Sequence, residues 1–475
     1  MRCRRNILPL VAVLTLGACA LKDMPPREDI AKDAMPNLGT PPQWVAPGSA
    51  PGAVGDNWLA SFNEPQLDAL VKEAIAYNAD LRIAAARVDA AAAYLAGAKS
   101  PIWPQVNLLA RGGGKMSGDS SGLSGVGLFA SWELDLWGRV RAVVRSTEFQ
   151  YQSAQLDAEY ARQSIAALVA KGWILGIEAR LQKAQAEASL QSAEGLASLA
   201  RDRFRVGSGD EYELALAQAN VETFRDTVRN LDLAYQNALR ALEALMGRYP
   251  AAAVGVAEAL PNWPGDAPAG LPSELLERRP DVVAAERRVA AAFYRTEEAK
   301  AARLPKITLV ASFTSINSEL FVLQPRDNPV LSGGAGLLQP LFLGGLLQAQ
   351  VDVRTAEQQA AIAEYGKIGA RAFGEVEGAL AAGLTAAERE EILVRAVRDN
   401  ERALELANIK YRVGSTDLRT VQQQQLALYA ARVALLSVQS ERLVQRVNLY
   451  LALGGSFEPA KAAPAQTSDA SRALR

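Results

Sequence analysis

Apolar positions alternate with polar ones in two short segments of this chain. In QVNLLAR, residues 105–111, apolar side chains fall at Val106, Leu108 and Ala110. In VGLFASWELD, residues 126–135, they fall on every second residue from Val126 to Leu134. This period of two predicts a pair of β-strands, each with an apolar and a polar face. The glycine-rich stretch RGGGKMSGDSSGLSG between them predicts a hairpin loop.

The following segment changes to a helical pattern. From Gly138 to Phe204 the chain contains no proline, which predicts one helix of about 66 residues, roughly 100 Å long at 1.5 Å per residue. The next helix carries apolar or small residues whose spacing alternates between three and four: Leu214, Ala217, Val221, Phe224, Val228, Leu231, Tyr235, Ala238, Leu242 and Leu245. Such spacing is typical of a coiled-coil seam. The two helices are therefore predicted to form a long hairpin.

The same order of elements occurs a second time. Short helices, strands at KITLVASF and GGAGLLQPLF, and a second hairpin repeat the first set, and Gly414 follows Gly207 by 207 residues. The predicted organisation is a signal peptide (1–18), an extended tether (19–56), a first repeat (57–250), a linker (251–270), a second repeat (271–457) and a disordered tail (458–475). Within the repeats we predict short helices, then strand pairs at 105–135 and 306–342, then coiled-coil hairpins at 138–247 and 345–453.

A short motif marks the turn of each hairpin. RFRVGS, residues 203–208, returns as KYRVGS, residues 410–415. Glycine suits the left-handed residue that ends a helix, and serine is an ordinary residue at helix ends, so one interpretation is simple capping. The same Arg-Val pair before both glycines favours a second interpretation, a docking surface. Its candidate residues are Arg205, Val206, Gly207, Ser208, Arg412, Val413, Gly414 and Ser415.

The first 19 residues have the layout of a secretory signal. Arginines precede an apolar stretch from Ile7 to Leu16, and small residues lead to Cys19. Leu16-Gly17-Ala18-Cys19 resembles a bacterial lipobox, which would make Cys19 the lipidated first residue of the mature protein. An ordinary signal peptide that happens to contain a cysteine is the alternative. The residue after Cys19 is alanine and not aspartate, which in lipoproteins points to the outer membrane.

Composition narrows the classes of function. The chain has no histidine, two cysteines and a formal net charge of −1. Without histidine the commonest general base and metal ligand is missing, so an enzyme or a metal site is not expected. Without a net basic charge, nucleic acid is not an expected partner.

No apolar stretch after Cys19 is long enough for a transmembrane helix, so any membrane span must be β. One chain supplies four strands, too few to close a membrane barrel. Two copies would give eight strands and three would give twelve, both of which are allowed numbers.

The chain from Cys19 to about Phe457 resembles the outer membrane factor (TolC-like) family, in particular the lipoprotein branch that works with RND efflux pumps (NodT-type). The resemblance rests on the lipobox, the paired strands, the two RVGS turns, WLASFNEPQLDALVKEAIAYNADL, and ARAFGEVEGAL. It implies a mixed α and β membrane protein that forms a homotrimer, with a twelve-stranded outer membrane β-barrel, four strands per chain, continuous with a long periplasmic α-helical coiled-coil barrel. It also implies that the hairpin tips face a periplasmic adaptor protein.

The resemblance also points to gate candidates near the second tip. Family members place aspartates one and two turns after the second-repeat glycine, but this chain has Thr420 and Gln423 there. Asp417, with Asp210 and Glu211, still leaves the tips acidic. Tyr411 and Arg412 either hold a closed state through contacts between neighbouring hairpins or are simply solvated.

The function implied is a passive exit duct in the outer membrane, fed by an inner-membrane pump, RND-type by resemblance, and an adaptor. An exit duct for protein secretion, a pore-free periplasmic coiled-coil scaffold and an envelope hydrolase are the alternatives. Apart from the covalent lipid at Cys19 and contact with outer membrane lipid, no cofactor or metal is expected.

Overall fold

The computed structural model describes residues 22–47, 52–111, 123–318 and 329–459. The predicted signal peptide, the lipidation site Cys19 and the tail from residue 460 onwards lie outside these ranges. None of the helices in these ranges is both long and apolar enough to cross a membrane.

Apart from α1, the described helices and strands follow the same order in both halves of the chain. The helices are α1 (Arg27–Ala34), α2 (Pro65–Tyr77), α3 (Ala79–Lys99), α4 (Arg139–Arg205), α5 (Glu211–Leu245), α6 (Leu275–Arg278), α7 (Pro280–Ala301), α8 (Leu346–Arg412) and α9 (Leu418–Ala452). The strands are β1 (Gln105–Arg111), β2 (Leu123–Leu134), β3 (Lys306–Ser318) and β4 (Val330–Leu338). Both long helices, α4 and α8, have 67 residues, and both return helices, α5 and α9, have 35.

Three sequence predictions need correction. Strand β4 ends at Leu338, four residues before the predicted end at 342, because Pro340 has no N–H with which to continue the ladder. Strand β2 begins at Leu123, inside the predicted loop. The tether is not extended throughout, since it contains helix α1, with Glu28 and Asp29 in its first turn and Lys32 in its last, the arrangement favoured by the helix dipole.

The chain divides into two compact units, each built from several segments of both repeats. The first unit comprises the described residues up to Leu38, within Ala85–Asp157 and within Asp281–Gly369. Its strands form one antiparallel sheet in the order β1-β2-β3-β4, with Leu128 opposite Leu108 on one side and Phe313 on the other. Strands β1 and β4 are the edges of this sheet.

Two acidic residues at the end of β2 have structural roles in the first unit. Glu133 accepts two hydrogen bonds of 2.9 Å from the Arg139 guanidinium and is 2.8 Å from Nζ of Lys306. Asp135 accepts the backbone N–H groups of Val140 and Arg141, at 2.9 Å each, in the first turn of α4. These contacts fix the start of the long helix relative to the sheet.

Helix α1 packs closely within the first unit. Ile30 is buried, and Arg27 is 2.6 Å from the carboxylate of Glu286. At Gly366 in α8 an added Cβ would lie 2.2 Å from the carbonyl oxygen of Ala34, so this contact requires glycine.

The second unit comprises the described residues within Gly39–Ala84, Ala158–Pro280 and those from Ala370 onwards. It contains the predicted seam of α5, none of whose ten residues is exposed. Asn78 links two of its helices by accepting the N–H groups of Asp80 and Leu81 and donating to the carbonyl of Leu245 at 2.8 Å. Trp44 lies 6.3 Å from the ring of Phe373, and Glu377 accepts the N–H groups of Val45 and Ala46.

Candidate functional site: the two hairpin tips

The two turns have the same backbone geometry. Gly207 has φ +73° and Gly414 has φ +78°, the left-handed conformation that the sequence predicts for both. After them, Ser208 N–H donates to the carbonyl of Arg203 at 2.9 Å, and Ser415 N–H donates to that of Lys410 at 2.9 Å. Each of these bonds is the 6→1 hydrogen bond of a Schellman motif, which satisfies one of the last carbonyls of a helix.

An aspartate starts each return helix. Asp210 accepts the backbone N–H of Glu213 at 2.7 Å, and Asp417 accepts that of Thr420 at 2.9 Å. The Thr420 hydroxyl also donates to Asp417 at 2.6 Å. The hydrogen bond from the Thr420 side chain, together with that from its backbone N–H, lowers the pKa of Asp417. Both carboxylates are therefore engaged as helix N-caps.

The eight predicted docking residues are all exposed. Val206 and Val413 are the apolar members, and they are 71% and 74% exposed. Arg205 pairs with Asp202 of its own helix at 3.0 Å. The turns thus bring together an exposed valine, an arginine and a serine at two equivalent places.

Below the turns, the two hairpins of the chain pack against each other. Their shared cluster consists of Ala193, Ala197, Ala200, Ala217, Val221, Phe224, Ala407, Tyr411, Leu418 and Val421. Tyr411 is 1% exposed, which excludes the simply solvated interpretation, and burial raises the pKa of its hydroxyl. The guanidinium of Arg203, from the other hairpin, lies 4.7 Å from the centre of its ring.

Polar contacts also join the hairpins. Arg419 donates to the hydroxyl of Tyr212 at 2.7 Å, and the side-chain amide of Gln422 donates to the carbonyl of Leu216 at 3.3 Å. Gln425, 4% exposed, donates to the carbonyl of Ser189 at 3.0 Å. The first two contacts hold α5 and α9 together near their first turns, and the third joins α9 to α4.

The gate candidates therefore separate into groups. Tyr411 is in the buried cluster, Asp417 and Thr420 form a helix cap, and Arg412 and Gln423 are exposed. The structure brings Tyr411 to a contact between hairpins within one chain.

Sequence reasoning missed Arg203, Tyr212, Arg419, Gln422 and Gln425. One signal was available, because Tyr212 and Arg419 occupy equivalent positions in the two repeats.

Among the described residues there is no group of three or more histidine, cysteine, aspartate or glutamate side chains that would hold a metal ion.

Known proteins resemble the chain over nearly its whole length. The family described as "Outer membrane efflux protein" matches residues 70–248 and 271–455. The pyoverdine export outer membrane protein OpmQ of Pseudomonas aeruginosa is 31% identical over 96% of this chain and 97% of its own length. The cation efflux system protein CusC of Escherichia coli is 27% identical over 95% of this chain and 99% of its own.

Solved structures agree with these sequence matches. The outer-membrane channel OprN superimposes with a TM-score of 0.80 at 27% identity, covering 90% of this chain and all 100% of that chain. The open state of the Neisseria gonorrhoeae outer membrane channel MtrE gives a TM-score of 0.78 at 26% identity, covering 94% and 99%. The two matched segments, one in each half of the chain, together cover most of its length, so the chain belongs to the outer membrane efflux protein family.

Proposed function

We propose that the two hairpin tips are the surface through which this protein engages a periplasmic adaptor, and that three copies form the duct. The chain is an outer membrane component of an efflux system, as its family and its relatives establish. It acts as a passive conduit and not as an enzyme. In the proposed assembly, the adaptor links it to an inner-membrane pump of the RND type.

The edges of the sheet support assembly of several copies. Strands β1 and β4 each have one neighbouring strand, which leaves a row of their backbone groups without a ladder partner among the described residues. Large apolar side chains of these strands are also exposed, with Val106 at 66%, Leu108 at 68% and Leu331 at 78%. A trimer in which β1 of one copy pairs with β4 of the next gives twelve strands and no free edge.

The exposed valines carry the docking proposal. Val206 and Val413 stand on rigid turns at equivalent positions, and both side chains are about three-quarters exposed. A cap alone needs the glycine, the serine and the aspartate, but it does not need an exposed valine. We therefore assign the valines, with Arg205 and Arg412, to adaptor contact.

The names of the relatives do not favour the secretion alternative, since OpmQ and CusC are described by export of pyoverdine and efflux of cations. A pore-free scaffold would not need a four-stranded sheet with exposed apolar side chains.

Lipidation of Cys19 remains part of the proposal. An unmodified N-terminus in the intact mass of the mature protein would contradict it.

The test of docking is the double variant Val206→Ser with Val413→Ser, expressed with its adaptor and pump. Because neither side chain is packed, trimer yield should stay at the wild-type level. Crosslinking to the adaptor and efflux should both fall several-fold. Val45→Ser is the control, since Val45 is 79% exposed and lies outside the tips. Wild-type crosslinking and efflux in the double variant would reduce the repeated motif to a helix cap.

A further inference from the structure

The linker between the repeats places one aromatic side chain against helix α9. The guanidinium of Arg442 lies 4.1 Å from the centre of the Trp263 ring, and that of Arg446 lies 5.5 Å from it. These three side chains line a cavity of about 190 Å³, whose apolar wall includes Leu380, Leu384 and Leu449. All of these residues belong to the second unit.

Arg446 has an unusual environment for a charged side chain. It is 5% exposed, and its guanidinium donates to the hydroxyl of Tyr450 at 2.9 Å. Among the described residues its Nε has no hydrogen-bond acceptor, and its anionic neighbour is the carboxylate of Asp266, which attracts it from beyond ion-pair distance. Arg442, in contrast, pairs with Glu390 at 2.8 Å. Buried charges in proteins are normally paired directly, and among the described residues Arg446 lacks such a direct ion pair.

Packing of the hairpin does not explain this arginine. The equivalent position in the first repeat, 207 residues earlier, is Leu239, which is 4% exposed in α5. A leucine thus fills this place in one hairpin, and replacing whole buried ionic groups by apolar residues of similar volume is often neutral or stabilising. The second repeat keeps a buried cation beside a cavity and an indole.

We propose that this cavity binds a small monovalent carboxylate that carries an apolar or aromatic group. The guanidinium of Arg446 would hold the carboxylate, because the planar fork of donors matches its two oxygens. Trp263 and the leucines would enclose the apolar part. The volume corresponds to roughly six water molecules at about 30 Å³ each, which suits a single ring. The exposed carboxylate of Asp266 also lines the cavity and repels anions in proportion to their charge, so it disfavours phosphate more than a monovalent carboxylate.

Benzoate is the probe for the test, with benzamide as its neutral counterpart of the same shape. Titration calorimetry on the purified, detergent-solubilised full chain should show saturable binding of benzoate. Benzamide should bind about tenfold more weakly or worse, since a hydrogen bond to a charged partner is lost. Inorganic phosphate should not compete. Equal binding of benzoate and benzamide, effective competition by phosphate, or no saturable binding of benzoate would each overturn the proposal.

Variants locate the site. Arg446→Gln and Trp263→Phe should each weaken benzoate binding, the first by about tenfold or more. Arg432→Gln is the matched control, because Arg432 lies on the same helix and is ion-paired at the surface with Glu401. It should bind benzoate like wild type. Benzoate affinity unchanged by Arg446→Gln would overturn the assignment, and the comparison of benzoate with benzamide on the wild-type chain decides the case even if this variant does not fold. The result is independent of adaptor docking.

Discussion

Gly207 and Gly414 hold the backbone conformation on which both tips depend. An added Cβ at either glycine would meet nothing within 4 Å, so the constraint is the positive φ and not lack of space. A left-handed residue with a side chain is disfavoured by about 1 to 2 kcal/mol. The tips are therefore sensitive to the backbone at one residue each.

Gly414→Ala should destabilise the second turn by about 1 kcal/mol. Hydrogen exchange of the Ser415 amide, which is bonded to the carbonyl of Lys410, should become about fivefold faster. Gly195→Ala, in the interior of α4 with nothing within 4 Å of the new Cβ, is the control of opposite sign. It should stabilise its helix by a similar amount, about 1 kcal/mol. Unchanged exchange at Ser415 would contradict the role given to φ.

Glu243 fixes the start of the linker through hydrogen bonds to its backbone. Its carboxylate is 2% exposed and accepts the N–H groups of Ala252, Ala253 and Val254 at 2.6 to 2.9 Å. Burial alone would raise the pKa of Glu243, but these backbone hydrogen bonds outweigh it, and the net effect is a lowered pKa. The ionised carboxylate thus fixes the start of the linker, including Ala252 with its φ of +58°.

The lowered pKa of Glu243 determines how the stability of the linker depends on pH. A group with a lowered pKa in the folded state stabilises it above the unfolded pKa, about 4.3 for glutamate, and this stabilisation is lost as pH falls through the folded value. Exchange protection factors of the amides at 252–254 should therefore decrease below about pH 4. Glu243→Gln should lower the free energy of exchange at these amides by about 2 kcal/mol at neutral pH and remove most of the acid dependence. A variant with the wild-type pH profile would count against this account.

At the scale of elements, the helices themselves could be predicted from the sequence more easily than the contacts between them. The apolar positions of α5 recur within one continuous segment, so the sequence alone predicts its seam. The pairing of the two hairpins could not, because Tyr411 meets Arg203 across 208 residues of sequence and no period within one helix defines that contact. Helix α1 was missed because its eight residues are too few for a pattern, and its stability comes from tertiary contacts of Ile30 and Arg27.

Tyr411→Ala should loosen the packing between the hairpins. Loss of a large buried aromatic side chain costs about 3 kcal/mol or more, so amide exchange in the first turns of α9 should become roughly a hundredfold faster. Phe204→Ala is the matched control, because Phe204 holds the equivalent position in the first repeat but is 45% exposed. Its effect should be about 1 kcal/mol. Equal effects of the two variants would show that the Tyr411 contact has no special weight.

At the scale of the whole molecule, the open edges of the sheet predict association. Native mass spectrometry in detergent should show trimers, and stable monomers would contradict the assembly. A cysteine at Asn107 of β1, combined in turn with cysteines at Leu331, Gly333 and Ala335 of β4, should give disulfide-linked trimers for at least one pair. The pair Ala130 with Ala311, which lie opposite each other inside the sheet, should give only bonds within one chain.

The equal lengths of the repeated helices have an evolutionary consequence. Helices α4 and α8 both have 67 residues, α5 and α9 both have 35, and the two sets stay in step through the buried contacts between them. A single inserted residue would turn the rest of its helix by about 100° and shift it by about 1.5 Å relative to its partner. Selection should therefore act on the lengths of both hairpins together, because a change of length in one shifts its contacts with the other. Natural homologues should therefore tolerate insertions in the strand loops and the tail, and almost none within the hairpins unless both copies changed together.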